Sequence, residues 1–430
     1  MSPSAPHRAT FLAALAALLL VPLAGCSEDR SVEGEKSKAP AGRSDPGRAE
    51  TTAPPPDPAK GLGDILVDGR PVTGSQKSDV PGPVPFRRTY TDGELYGSVT
   101  GYRSTSFGAG GLEGAMKADI EAGRDVATTI DPEAQRAAFE GLRGRHGAAI
   151  ALDAGTGDVV ALVSAPGFDP AAFSGNSPED AQAWQRVNDE KALPLFNRAL
   201  RDVRNPGAAA HLIVATAALE EGVLDSVDSP VRAPAVYVVP DSKKRIGGDP
   251  DRCVDTTLRD AWRHDCANVF ARLASDLGPE VLGFTGEAFG FASNGGDGLL
   301  PVRVAGGGGW STGSSDAADG LSGIKVSPLH LAQMMAVIGN GGNGLHPRLI
   351  AGRTADRPAG RAIDRRTADQ LRSVVGDSVD AWVPAASASW SLVSARAGGR
   401  DLVVAVLLDT RTKDTERAGE IARRIASAGE

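Results

Sequence analysis

Two stretches of the chain hold paired apolar runs. GAAIALDAGTGDVVALVSAP (residues 147–166) holds two such runs joined by Ala154-Gly155-Thr156-Gly157, and WSLVSARAGGRDLVVAVLLDT (390–410) holds two more around Gly398-Gly399. Short apolar runs bounded by turn residues predict hairpins. Between them the pattern is helical with long loops, and DTERAGEIARRIASAG closes the chain as a helix. Strands at both ends with helices between predict an α/β domain whose sheet joins distant segments. The 147–166 hairpin is therefore expected to pair with the 390–410 strands.

Ahead of these, GDILVDGRPVTGS has two short β-patterns around Asp68-Gly69, a hairpin signal. FRRTYTDGELYGSVTGYRS shows aromatics and turn residues without a helical period, so a small, irregular β-rich unit is predicted. GGLEGAMKADIEAG (110–123) reads as one helix. Val126 to Ile130 is strand-like, and Asp131 with Pro132 has the residue types of an N-cap and a first helical position. Ser174 to Ser177 and the polar helix after them read as solvated surface.

The N-terminus changes the picture. Residues 11–25, FLAALAALLLVPLAG, form an apolar stretch of signal-peptide length, too short and interrupted for a membrane span. It runs into Leu23-Ala24-Gly25-Cys26, which resembles the bacterial lipobox, so Cys26 is expected to be lipidated. The other reading is a plain cleaved signal with an incidental cysteine. The next residues are polar, Pro-rich and poor in large apolar side chains, a tether. The predicted organisation is a lipoprotein signal over 1–25, a disordered Pro-rich tether over 26–60, a small domain over 61–125 and a larger one over 126–430. The remaining cysteines, Cys253 and Cys266, form an even pair that predicts a disulfide outside the cytoplasm, with two buried thiols as the other reading. A net charge of −8, a pI near 5.4 and no long basic stripe give no footprint for nucleic acid, and none is expected as a partner.

TYTDGELYGSVTGY with GGLEGA, TTIDPEAQRAAFEGL, GAAIALDAGTGDVVALVSAPGFDP, PLFNRAL, the Asn205-Pro206-Gly207 helix entry, CANVFARLASDLG, VSPLHLAQMMAVIGNGG and HPRLI occur in an order and spacing that resemble class B penicillin-binding proteins. The resemblance covers nearly everything from Gly61 onward. It implies the penicillin-binding transpeptidase or serine β-lactamase-like fold, a five-stranded antiparallel sheet flanked by helices. A small β-rich N-terminal domain stands in front, shortened here between Gly111 and Ile130.

Active members join peptidoglycan stem peptides through an acyl-enzyme. That chemistry needs a serine one helical turn before a lysine, a Ser-x-Asn motif and a Lys-Thr/Ser-Gly strand segment. By register the serine falls on Ala208 and the lysine on His211, and Ser-x-Asn falls on Asp265-Cys266-Ala267. No lysine occurs between Lys325 and Lys413, and the third motif reads as deleted around Val383 to Ser389. No catalytic residue is therefore assigned. Ser322-Gly323-Ile324-Lys325 is a literal Ser-x-x-Lys, but it aligns better with the extended connection before VSPL. Gly306 to Gly309 lacks the context of a phosphate loop. His264 reads as a surface residue. His211 and Asp265 are expected to touch, as a polar pair in an old cleft, a vestigial acid–base pair or half a metal site. No metal or cofactor is expected. The leading expectation is a lipid-anchored, extracytoplasmic pseudo-transpeptidase, a partner of the membrane through its lipid and of peptidoglycan or another envelope protein. The alternatives are an active D,D-transpeptidase with atypical residues, or a noncovalent muropeptide or β-lactam sensor.

Overall fold

A computed structural model of the chain describes residues 61–78, 85–240, 243–291, 324–354, 359–383 and 386–428. The signal stretch, Cys26, the tether, Gly306 to Gly309 and Ser322-Gly323 lie outside the described residues.

The N-terminal part is small and mixed. β1 (Ile65–Val67) turns through Asp68-Gly69 into β2 (Arg70–Pro71) as its antiparallel partner. Then come β3 (Thr73–Lys77), β4 (Phe86–Tyr90), α1 (Gly93–Thr100), β5 (Tyr102–Ser104), β6 (Gly108–Gly110), α2 (Gly111–Ala115), α3 (Lys117–Glu121) and β7 (Val126–Ala127). β7 lies parallel to β1 and completes that three-stranded sheet. Two expectations are corrected. GELYGSVT is the helix α1, which buries Leu95 and Val99 four residues apart and ends at Gly101 with φ 71°. The predicted single helix over 110–123 is two, broken at Met116 (φ −101°, ψ 21°); Leu112, Met116 and Ile120 all still reach the core. Under them the fully buried Arg88 pairs with the fully buried Glu113 at 2.5 Å and donates from Nη2 to Gly63 O at 2.8 Å.

The larger part begins with α4 (Pro132–Leu142), where Asp131 accepts from the backbone N–H of Glu133 and Ala134 at 3.0 and 3.1 Å. It continues through β8 (Gly147–Asp153), β9 (Val159–Ala165), α5 (Pro178–Asp189), α6 (Arg198–Arg201) and α7 (Ala210–Glu220). Next are β10 (Pro230–Val231), β11 (Val236–Val238), β12 (Arg245–Gly247), β13 (Thr256–Thr257), α8 (Leu258–Arg263) and α9 (Ala267–Ala288), the last kinked at Gly278-Pro279. It ends with α10 (Pro328–Gly339), α11 (Arg365–Val375), β14 (Ser378–Val383), β15 (Ala388–Ala397), β16 (Arg400–Asp409) and α12 (Thr415–Ser427).

Both predicted hairpins form and join. The antiparallel sheet runs β14-β15-β16-β8-β9, with Leu408 opposite Gly147 and Leu402 opposite Asp153. Side chains alternate between its faces. Ala149, Ala151, Val404 and Val406 pack with α4 and α12, while Ala148, Ile150, Ala405 and Leu407 join the core under α7 and α10. Burial on both faces is why β8, β9 and most of β16 read as apolar runs. Against the solvated reading, Ser174 is buried. Its Oγ accepts from Arg87 Nε at 3.0 Å and its carbonyl accepts from the Thr105 N–H at 3.0 Å, tying the two parts together.

Candidate functional site

Helix α7 is apolar around its whole circumference, the signature of a helix enclosed by core. It is entered through Asn205-Pro206-Gly207, where Asn205 Oδ1 accepts from the Gly207 N–H at 2.8 Å, and through a 3₁₀ turn, Gly207–Ala209. Gly207 sits at φ 61°, and a Cβ there would lie 2.8 Å from Val383 Cγ2 on β14. The helix entry and the sheet edge therefore approach as closely as glycine allows.

Beside this approach is a cleft of about 710 Å³. Gly207, Ala210 and His211 line it from the helix entry, Val383 and Ala386 from the sheet edge, Ala267 and Ala271 from α9, and Lys244 and Ile246 from the β11–β12 hairpin. Asp202, Val203, Arg204, Asn205 and Lys325 complete the lining. Among the described residues that line it, none carries a hydroxyl or a thiol. Ala208, where the resemblance places the nucleophile, lies in the 3₁₀ turn and packs against the core. The edge strand β14 ends at Val383, where the segment in which the third motif reads as deleted begins, and it carries no lysine.

His211 and Asp265 do meet, Nδ1 to Oδ1 at 3.6 Å. The His211 side chain is 13% exposed and its ring stacks on Phe270, with centroids 4.2 Å apart and planes within 5°. Burial pushes its imidazole down to about 4, against the pull of the Asp265 carboxylate. The ring is therefore neutral at pH 7. Asp265 is 72% exposed and holds a left-handed φ of 49° just before α9. No group of three or more metal-ligating side chains occurs among the described residues. His264, expected at the surface, is partly exposed.

Next to them, Cys253 and Cys266 are joined in a disulfide that fixes the start of α9 to the loop after β12. Asn268 is buried there and donates from Nδ2 to Pro234 O and Cys253 O, each at 2.8 Å. On the opposite wall, Arg204 binds Asp202 at 3.0 Å and Asp409 at 2.9 Å, and its backbone pairs with Val326. Burial would lower its pKa, but the hydrogen bonds to Asp409 and Asp202 outweigh that and hold it above the ordinary value. Lys325 is exposed in the extended connection before α10, the place the alignment gave it. The roles of Arg204 and Lys244 in the lining had no signal in the sequence, because neither belongs to a recognisable spacing.

A five-stranded antiparallel sheet with a buried helix entering beside its edge strand defines a class. Residues 147–392 match the penicillin binding protein transpeptidase domain, and residues 62–132 match the penicillin binding protein A dimerisation domain. The chain belongs to the penicillin-binding protein transpeptidase family. It is 32% identical to the peptidoglycan D,D-transpeptidase PbpA of Mycobacterium tuberculosis over 328 residues, 67% of this chain and 64% of that protein. The Mycolicibacterium smegmatis protein of the same name is 30% identical over 358 residues, 74% of this chain and 70% of that one. The crystal structure of PBPA from M. tuberculosis superposes with a TM-score of 0.75 at 26% identity, covering 86% of this chain and 99% of that one. The imipenem acyl-enzyme complex of the M. tuberculosis protein gives 0.74 at 27% identity, covering 86% and 98%. The chain thus spans a little under two thirds of the first of these relatives. No helix among the described residues is long and apolar enough to cross a membrane.

Proposed function

We propose that this family member is a pseudo-transpeptidase, anchored through lipidated Cys26 at the outer face of the cytoplasmic membrane. There it binds a cell-wall strand or another envelope protein without joining stem peptides. One observation carries the reading: the described residues lining the cleft offer no hydroxyl or thiol to be acylated. The helix entry presents Ala208, Ala209 and Ala210, and the lysine position holds a ring that burial keeps neutral. In a serine protease, loss of the nucleophile alone lowers turnover about 10⁶-fold. The lipobox-like Leu23-Ala24-Gly25-Cys26 supports the anchor.

The His211–Asp265 contact favours a second reading, an atypical enzyme using a neutral imidazole backed by a carboxylate as base. Fluorescent penicillin separates the two. The pseudo-transpeptidase gives no labelled band after denaturation, and a stoichiometric covalent band would establish the enzyme instead. The anchor is tested by the mass of the mature N-terminus: a diacylglyceryl-modified Cys26 is expected, and an unmodified one rules the anchor out.

A further inference from the structure

The β11–β12 hairpin is a two-stranded sheet of its own. Its inner face, Tyr237, Val239 and Ile246, packs with Ala271 of α9. Its outer face carries Val236 and Val238, which are 38% and 48% exposed, opposite Gly247 and Arg245. The register fixes where the backbone points. The Val239 N–H donates to Lys244 O and the Gly248 N–H to Ala235 O, each at 2.8 Å, so Ala235, Tyr237 and Val239 turn their polar groups toward β12. In an antiparallel ladder the residues between them turn theirs the other way. The N–H and C=O groups of Val236 and Val238 therefore point out of the free edge of β11, and no described residue bonds to them.

Exposed edges are usually guarded by charge. This one is not, because no charged residue occurs between Arg232 and Asp241. The segment Pro234-Ala235-Val236-Tyr237-Val238-Val239-Pro240 reads nearly the same in both directions about Tyr237. That symmetry selects the partner. A two-fold axis at Tyr237 sets Val236 opposite Val238 of a second copy, and Val238 opposite Val236 of that copy. Each edge offers two N–H and two C=O groups, so four hydrogen bonds form, and no like charges stand directly opposite. The four valines then make one patch across the axis. Pro234 and Pro240 have no N–H to donate and end the ladder on both sides. We propose that two copies of the chain associate through β11 into one four-stranded sheet, β12-β11-β11-β12, an isologous interface. It lies outside residues 62–132, which match the dimerisation domain. It also braces the hairpin whose Lys244 and Ile246 line the cleft.

The test is sedimentation equilibrium of the full chain in excess detergent micelles, in a series reaching about 100 µM because an edge-to-edge contact is a small interface. A reversible dimer is expected. Val238→Lys puts a charge into the valine patch, and Val236→Pro removes an N–H that bonds nothing within the chain. Each should weaken association at least about tenfold, with the unfolding temperature held. Cysteines read the register. Tyr237→Cys stands opposite itself across the axis, within disulfide reach, and should give a covalent dimer on mild oxidation. Arg245→Cys, on the far strand, should not. The Tyr237→Cys dimer supports the interface even where free association is too weak to sediment. A chain that stays monomeric and gives no more covalent dimer from Tyr237→Cys than from Arg245→Cys overturns the proposal. A dimer that Val238→Lys and Val236→Pro leave unchanged also overturns it, since its contact lies on another face.

Discussion

The cap of α10 should make the protein acid-sensitive through the ring of His330. Ser327 caps the helix, and its N–H donates to His330 Nδ1 at 3.1 Å while the His330 N–H turns back toward Ser327 Oγ. A backbone N–H can only donate, so Nδ1 must be the bare nitrogen, and the ring proton sits on Nε2. His330 is fully buried, with the Phe291 ring 5.5 Å away. A second proton would point at the Ser327 N–H and place a charge in the core. Burial accordingly pushes the pKa from 6.5 down to about 4. The folded state thus resists protonation that the unfolded chain accepts. Its stability is full above about pH 6.5 and is lost as pH falls toward 4. Between pH 7.5 and pH 5 the linkage comes to about 2 kcal/mol. His330→Gln keeps a side chain able to accept from the capping N–H, the usual partner in such boxes, and does not titrate. Denaturant unfolding of both proteins at pH 7.5 and 5.0 should show the variant losing about 2 kcal/mol less than the wild type over that interval. Carboxylates and His211 are common to both proteins and cancel. Equal losses would refute the buried, neutral ring.

Three other outcomes are expected. Glu113→Ala removes the buried partner of Arg88 and leaves it only Asp64, 3.3 Å away and partly exposed, which should cost about 3 kcal/mol, read as a large fall in unfolding temperature; a change below 1 kcal/mol would show that Asp64 alone suffices for the Arg88 charge. Native, unreduced protein should yield no alkylatable thiol from Cys253 or Cys266, and two modified cysteines would disprove the bridge. Ala208→Ser, alone or with His211→Lys, should remain unacylated by penicillin in peptide mass mapping, because β14 still offers no lysine to the substrate carboxylate. A stoichiometric adduct on the introduced serine would show a cleft that is still preorganised.

What could be read in advance follows from the range of the forces involved. The two hairpins announce themselves because both faces of their strands are buried, and Asp131-Pro132 announces α4 because capping is local. α1 escaped notice because Leu95 and Val99 are too few to establish a period, and Gly93 and Gly97 disguise it. Met116 looked like helix interior because its neighbours are good helix formers; only packing of Leu112, Met116 and Ile120 reveals the break. In the cleft, His211 and Asp265 were brought together by register alone. The presence of β14, the binding of Arg204 to Asp202 and Asp409, and the exposed Lys325 depend on contacts between remote segments. Spacing along a chain cannot encode those.

The strand order has a further meaning for any shortened form of the chain. β16 is the sole bridge between the β14–β15 pair and the β8–β9 hairpin. On a ribosome β8 emerges roughly 250 residues before the strand that covers its free side. Until then it presents an unpaired, apolar edge, the form of backbone most prone to join another molecule. A stop codon that removes only the last three dozen residues therefore does more than trim an end. It leaves two separate ribbons, each with a raw edge, and the product should be insoluble rather than merely weakened.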